Sequence, residues 1–362
     1  MLIYQIALTL IPGIGDVLGK KLVALCGSAE AVFREPKRFL RKVKGVGEVL
    51  SNAVGDKSIF RRAEQEIGFI TRFRISPVFF LDPGYPWRLK HCIDSPVMLY
   101  YKGTANLNAE RIIGIVGTRS ATTYGKSVCR DLITGIVSHE PLVVSGLAYG
   151  IDGCAHRWAL DAGLATVAVL GHGLDQIYPC AHSALAEKML QKGGLVTEFL
   201  SGINPDRENF PKRNRIIAGM CDALVVVEAA KKGGALITAD IANSYNRDVF
   251  AVPGRIGDTW SEGANYLIRT NQAHLVQSAE NIEYIMGWKK QETTPAPQRK
   301  IFLELAPDEL KIVQVLEAAG QTGMDQLSLA SGLTPGKISA ALLNLEFEGI
   351  IRCLPGKIYV LK

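Results

Sequence analysis

Six short apolar runs, rich in β-branched residues and mostly closed by glycine, constrain this chain more than any other feature. They are IIGIVG at 112–117, PLVVSG at 141–146, TVAVLG at 166–171, GLVTEF at 194–199, ALVVVEA at 223–229 and VFAVPG at 249–254. Runs of this length without polar alternation are strands buried on both faces. The stretches between them have helical spacing. Strand and helix alternating in this way predict a mostly parallel sheet covered by helices on both sides, an extended Rossmann-like α/β domain.

The sequence on either side of this region has a different character. Residues 1–68 read as helical, interrupted by two self-similar turns, Ile11-Pro12-Gly13-Ile14-Gly15 and Val43-Lys44-Gly45-Val46-Gly47. Paired hairpins of this kind predict a small SAM-like or helix-hairpin-helix domain. The sheet domain is expected over 69–288. The polar stretch 289–300, KKQETTPAPQRK, cannot bury a core and reads as a linker. Residues 301–362 carry three helical segments and a final hairpin turning at Pro355-Gly356, a winged-helix pattern. That last segment has seven acids against five bases, which argues against duplex reading and favours a protein-contact or regulatory role.

Charge and cysteine usage narrow the function classes. The formal net charge is +6, which permits an anionic partner. Seven cysteines are scattered singly from Cys26 to Cys353 with no CxxC, so a disulfide framework is not expected and a cytoplasmic location is. No stretch has the length of a bilayer span, so no membrane partner is expected.

The chemistry concentrates at the strand exits. The first run ends in Gly117-Thr118-Arg119, just before a helix expected near Tyr124-Gly125. A glycine there lets a ligand approach, the helix N-terminus attracts an anion and Arg119 can clamp a phosphate. The second run ends in Ser145-Gly146, and Gly233-Gly234 opens a third helix behind Lys231 and Lys232. Between them lies Phe210-Pro211-Lys212-Arg213-Asn214-Arg215; from 207 to 215 there are four cations and one acid. Cations beside a ring are what a single strand of nucleic acid needs. Their place in the first turn of a helix, where the macrodipole disfavours them, points to an anionic partner.

Other motifs fail. Gly125-Lys126-Ser127 echoes a P-loop, but Ser120 stands where its first glycine belongs. Asp152, Cys154, His156, Cys180 and His182 satisfy no zinc spacing. No cofactor and no catalytic residue is expected.

Seven ordered segments together are specific: VGTRSATTYG, VSGLAYGIDGCAH, AVLGHGLDQIYP, FPKRNRIIAGMCDALVVVEA, GGALITADIA, VFAVPG and GANYLI. In them the chain closely resembles the DNA-processing protein A family, also called Smf. The resemblance implies a non-catalytic binder of single-stranded DNA, a homodimer formed through the Rossmann domain, that helps load the RecA recombinase onto incoming strands in natural transformation. It implies that Arg119 acts in the family's glycine-serine-arginine loop and that Lys212, Arg213 and Asn214 act in its basic segment, with Phe210 where a base stacks. Thr118 replaces the usual serine, Gly233 and Ala235 replace two serines of the third loop, and His182 replaces an asparagine. The lost hydroxyls weaken the expected contribution of the Gly233-Gly234 loop. A more distant likeness to nucleotide phosphoribohydrolases gives an alternative, an enzyme acting on a nucleotide. Leu236 and Ile237 stand at its Gly-Thr positions, and Asp240 falls at its acid's position.

Overall fold

A computed structural model describes residues 1–47, 54, 56–288 and 305–362. The linker expected over 289–300 lies outside the described residues.

The N-terminal region is helical: α1 (Leu2–Leu10), α2 (Asp16–Cys26), α3 (Ala29–Arg34), α4 (Lys37–Leu40) and α5 (Lys57–Phe73). Capping sets several boundaries. Gly27 ends α2 at φ +89°, and the Ser28 and Asp56 side chains accept from the backbone N–H groups of Ala31 and Ser58 to start α3 and α5. Ile6, Leu22, Val32, Ile59 and Ile70 form its core, which extends onto Phe79, Val97 and Tyr100 of the sheet.

The sheet has nine strands: β1 (Ser76–Phe79), β2 (Met98–Gly103), β3 (Ile112–Val116), β4 (Leu142–Ser145), β5 (Thr166–Val169), β6 (Gly193–Thr197), β7 (Ala223–Val226), β8 (Asp248–Ala251) and β9 (His274–Leu275). Their order is β1-β2-β6-β5-β4-β3-β7-β8-β9. The pairings of β1 with β2 and of β2 with β6 are antiparallel, and every other one is parallel. The expected parallel sheet is therefore present, with an antiparallel edge added. Alternate residues face opposite layers. Val116, Val144, Val169 and Val226 pack against Ile216, Ile217 and Met220 on one side. Ile115, Val143 and Val225 pack against Leu132 and Ile133 on the other side.

The crossover helices that matter for the site are α7 (Thr123–Gly135) after β3, α8 (Ile151–Asp161) after β4, α9 (Ser183–Lys192) before β6, α10 (Asn209–Met220) before β7 and α11 (Gly234–Ser244) after β7. Helices α6 (Trp87–Lys90), α12 (Glu262–Arg269) and α13 (Ala279–Ile285) complete the layer.

The C-terminal region has its own core, built from α14 (Pro307–Ala319), α15 (Met324–Ser331) and α16 (Pro335–Phe347) around Ile312, Leu316, Leu342 and Leu345. Its sheet pairs β10 (Gln321–Gly323), β11 (Ile351–Leu354) and β12 (Ile358–Leu361) in the order β10-β12-β11. The turn of this wing rests on the sheet domain. The Gly356 N–H donates to the Asn246 carbonyl at 3.0 Å, and Arg247 Nη1 donates to the Pro355 carbonyl at 3.1 Å.

Candidate nucleic-acid interface

The parallel strands bring their carboxyl ends to one edge. Strand order reverses at β3, with β4 on one side and β7 on the other. In open α/β sheets the crevice outside such a switch point is the usual ligand site. Here the fold fills that crevice itself. Glu228, 1% exposed just past β7, accepts from the Thr122 N–H at 3.0 Å and the Thr122 hydroxyl at 2.5 Å. A Cβ at position 125 would lie 2.3 Å from its carboxylate, so only glycine fits there. The N-terminus of α7 is thus already matched by an internal anion. The backbone N–H of Thr118 is also committed, donating to the Glu228 carbonyl at 2.7 Å.

The next exit is likewise built inward. Ser145 is fully buried and its hydroxyl donates to the Ile115 carbonyl at 2.5 Å. A Cβ on Gly146 would meet the Arg213 guanidinium at 2.4 Å. Asp152, in the first turn of α8, is 6% exposed; burial pushes its carboxyl above the usual range, and Arg213 pulls it back. Neither Ser145 nor Gly146 offers a free side-chain hydrogen-bonding group, although Gly146 lines the crevice described below.

The basic segment on α10 divides in two. Lys212 is exposed. Arg213 is 4% exposed, and its Nη1 donates to the carbonyls of Gly146, at 2.6 Å, and Val169. Burial lowers its guanidinium to about 10, against the attraction of Asp152. The Asn214 amide donates to the Gly234 carbonyl at 3.3 Å, tying α10 to α11. Arg215 turns away from the strand exits altogether. It pairs with Asp16 at 3.0 Å and with Glu198, and donates to the Asp94 carbonyl, locking α2 against the sheet domain. The sequence argument that these cations oppose the macrodipole is corrected on both counts. The helix starts at Asn209, so Arg213 and Arg215 lie beyond its first turn, and internal oxygens satisfy both.

What remains open is a short row of groups. The Arg119 guanidinium is exposed and stands over the half-buried Phe210 ring, 5.2 Å from its centroid. The Tyr178 ring lies 6.0 Å from the same ring, and Tyr149 is 49% exposed beside His182. With Gly146, Ala148 and Pro179 these residues line a narrow crevice of about 20 Å³. Gly233 and Gly234 are exposed at the start of α11, preceded by exposed Lys231 and Lys232. Gly117 and Thr118 are half-buried behind Arg119. Residue-type reasoning had passed over Tyr149, Tyr178 and Pro179, although the first sits in the second exit and the others follow the third. His182 is structural here: its Nδ1 lies 2.9 Å from the Leu147 carbonyl. His156 is fully buried, and burial drops its imidazole to about 3. Among the described residues no cluster of three or more histidines, cysteines or carboxylates is placed to hold a metal ion.

The family described as DNA recombination-mediator protein A matches residues 76–286, and a DprA winged helix domain matches residues 292–357. The chain belongs to the DNA recombination-mediator protein A family. Curated relatives include a putative DNA processing protein DprA of Mycobacterium tuberculosis, 39% identical over 278 residues that cover 76% of this chain and 71% of that protein. Protein Smf of Synechocystis is 32% identical and covers 98% of both chains. The solved structure of DNA processing protein A from Streptococcus pneumoniae superposes with a TM-score of 0.65 at 32% identity, covering 78% of this chain and 98% of that one. The Helicobacter pylori protein, whose structure is described by its single-stranded DNA binding mode, gives 0.55 at 26% identity, covering 61% and 99%.

Proposed function

We propose that this protein binds single-stranded DNA along the open row at the strand exits and, as a homodimer in the cytoplasm, helps load the RecA recombinase onto it, without catalysing a covalent step. The observation that carries the reading is Arg119 over Phe210 at the mouth of a crevice too small for a nucleotide. A volume near 20 Å³ has room for about one water. A base therefore stacks on the outside of the row, on Phe210, Tyr178 or Tyr149, while Arg119, Lys212, Lys231 and Lys232 follow the phosphates. The Helicobacter pylori relative's single-strand binding supports the same ligand. The exposed Leu275 in the two-residue edge strand β9 and the exposed Tyr266 of α12 support a second copy docking through this part of the sheet domain. No described helix is long and apolar enough to cross a membrane.

Anisotropy titrations of labelled single strands and duplex at two salt levels test this. Arg119→Ala and Lys212→Ala should each weaken single-strand binding for every sequence alike, with a shallower salt dependence. Equal affinity for duplex, or unchanged affinity in both variants, would count against it. Release of free base from nucleoside monophosphates would favour the nucleotide-acting enzyme instead.

A further inference from the structure

The net charge of +6 is concentrated at one end of the chain. Residues 1–75 hold thirteen lysines and arginines against seven acids, which accounts for the whole excess. The densest stretch is Lys37-Arg38-Phe39-Leu40-Arg41-Lys42-Val43-Lys44, with five cations and no acid. The fold sorts it cleanly. Leu40 and Val43 enter the helical core, and Arg38, Phe39, Lys42 and Lys44 stay exposed. Lys21 of α2 joins them, exposed, with its Nζ 3.4 Å from the Lys44 carbonyl. Among the described residues no carboxylate pairs with Lys21, Arg38, Lys42 or Lys44, whereas Arg34 and Arg62 in the same region have Glu30 and Glu66. Four neighbouring cations left uncompensated repel one another, and an anion relieves that repulsion.

The position of this surface is fixed by the ion-pair seam. Asp16 at the start of α2 holds Arg215 of α10 and accepts from the Val97 N–H at 2.8 Å. One turn on, Lys20 donates to the Ile93 carbonyl and the Ser95 hydroxyl, both at 2.8 Å. Lys212 stands three residues before Arg215 and so shares its side of α10. The Arg215–Asp16 pair thus ties the helix that carries Lys212 to the helix that carries Lys21.

We propose that Lys21, Arg38, Lys42 and Lys44 form a second phosphate-binding surface, which holds the backbone of the same single strand after it leaves the Arg119–Lys212 row. This rests on the reading of that row given above. The side chains are long and exposed, so they neutralise phosphates without reading bases. Phe39, 39% exposed among them, offers a face for one unstacked base. The rival ligand for such a patch is an anionic membrane. The rigid tie to α10 favours the strand.

The test uses the full chain with Lys21, Arg38, Lys42 and Lys44 all changed to Gln, and a second version with the three lysines changed to Arg. Probes are oligo-dT of about 6 and about 30 nucleotides, the shorter spanning no more than one site. The Gln variant should hold the short strand within about twofold and lose roughly tenfold or more on the long one. Its log–log salt slope should fall by up to about 3, for four phosphate contacts at ~0.7 each. The Arg version should bind the long strand as the parent does, which separates lost charge from lost folding. Unchanged long-strand affinity and slope in the Gln variant overturn the proposal. So does loss of binding to phosphatidylserine vesicles with the long strand held as before. Arg119→Ala on the short strand tells the two readings apart: if it has no effect there, the strand-exit site fails while the long-strand result still judges this surface.

Discussion

Arg213→Ala should destabilise the protein, whereas Arg119→Ala should only weaken its binding, although both arginines lie within 6 Å of the Phe210 ring. The Arg213 guanidinium is 4% exposed and holds the carbonyls at the exits of β4 and β5 together through Gly146 and Val169. It also donates to the Asn214 amide oxygen at 3.1 Å. Even lowered to about 10 it is charged at neutral pH, and it is the main countercharge for the buried Asp152. Truncation leaves carbonyls without a donor, at ~1–3 kcal/mol for an unsatisfied group. It also removes the cation that favours the charged form of the buried Asp152. The two carbonyls alone put the loss at about 2–4 kcal/mol, a large part of the ~5–15 kcal/mol that holds a domain folded.

Arg119 makes no comparable internal contacts. It is exposed and rests on one ring, so its removal should change stability by within ~0.5 kcal/mol. Its loss should cost ~1–3 kcal/mol of binding, roughly five- to 150-fold. Urea denaturation followed by circular dichroism, with anisotropy on a labelled single strand, separates the two variants. If Arg213→Ala keeps its stability within ~1 kcal/mol and binding is still lost, Arg213 contacts the ligand and the inward assignment is wrong.

Two further outcomes follow from the same geometry. Burial raises the Glu198 carboxyl to about 7, with Arg215 opposing and Asp16 adding to the rise. The unfolded carboxyl titrates near ~4.3. Between those values the folded chain holds a proton that the unfolded chain has released, so stability should fall as pH rises from about 4.5 to about 7. Glu198→Gln should flatten that slope, and a wild-type denaturation midpoint that does not move across this window contradicts it. Gly356 sits at φ +86°, and a Cβ there would meet Arg247 Nη1 at 2.4 Å. Gly356→Ala should therefore release the wing from the sheet domain and raise the radius of gyration in X-ray scattering, with single-strand affinity unaltered.

The sheet was legible because its central strands are buried on both faces, which leaves continuous apolar runs in the sequence. Strands β1, β2 and β9 lack that mark. Pro77 sits inside β1 at the sheet edge, where a missing N–H is tolerated, and β9 is only two residues long with both exposed. The site was legible in part. Arg119 stands over Phe210, and Lys212 is exposed two residues further along α10. Arg213 lies within 6 Å of the same ring but is buried, and Arg215 is held by Asp16 and Glu198; a charge count cannot see the partner at the other end. Asp16 is 199 residues from Arg215 in sequence, and the carbonyl acceptor on Gly146 is 67 from Arg213. Burial of a cation depends on such distant oxygens, and local composition carries no record of them.

The same reasoning bears on how a phosphate is held. Gly-rich strand exits ordinarily imply a cradle of backbone amides at a helix N-terminus. In this chain the N-terminus of α7 faces Glu228, and the first turn of α8 carries Asp152. An anion brought to either would meet a buried carboxyl rather than a vacant positive dipole. Of the helices at the three Gly-rich exits, α11, opened by Gly233 and Gly234 and flanked by Lys231 and Lys232, is the one that begins without an acid in its first turn or a side-chain cap. Under the proposed function, binding at this edge therefore depends on exposed cations more than on a rigid cradle. A site of that kind tolerates any base sequence, loses affinity steeply with salt, and gains from each further cation the strand can reach.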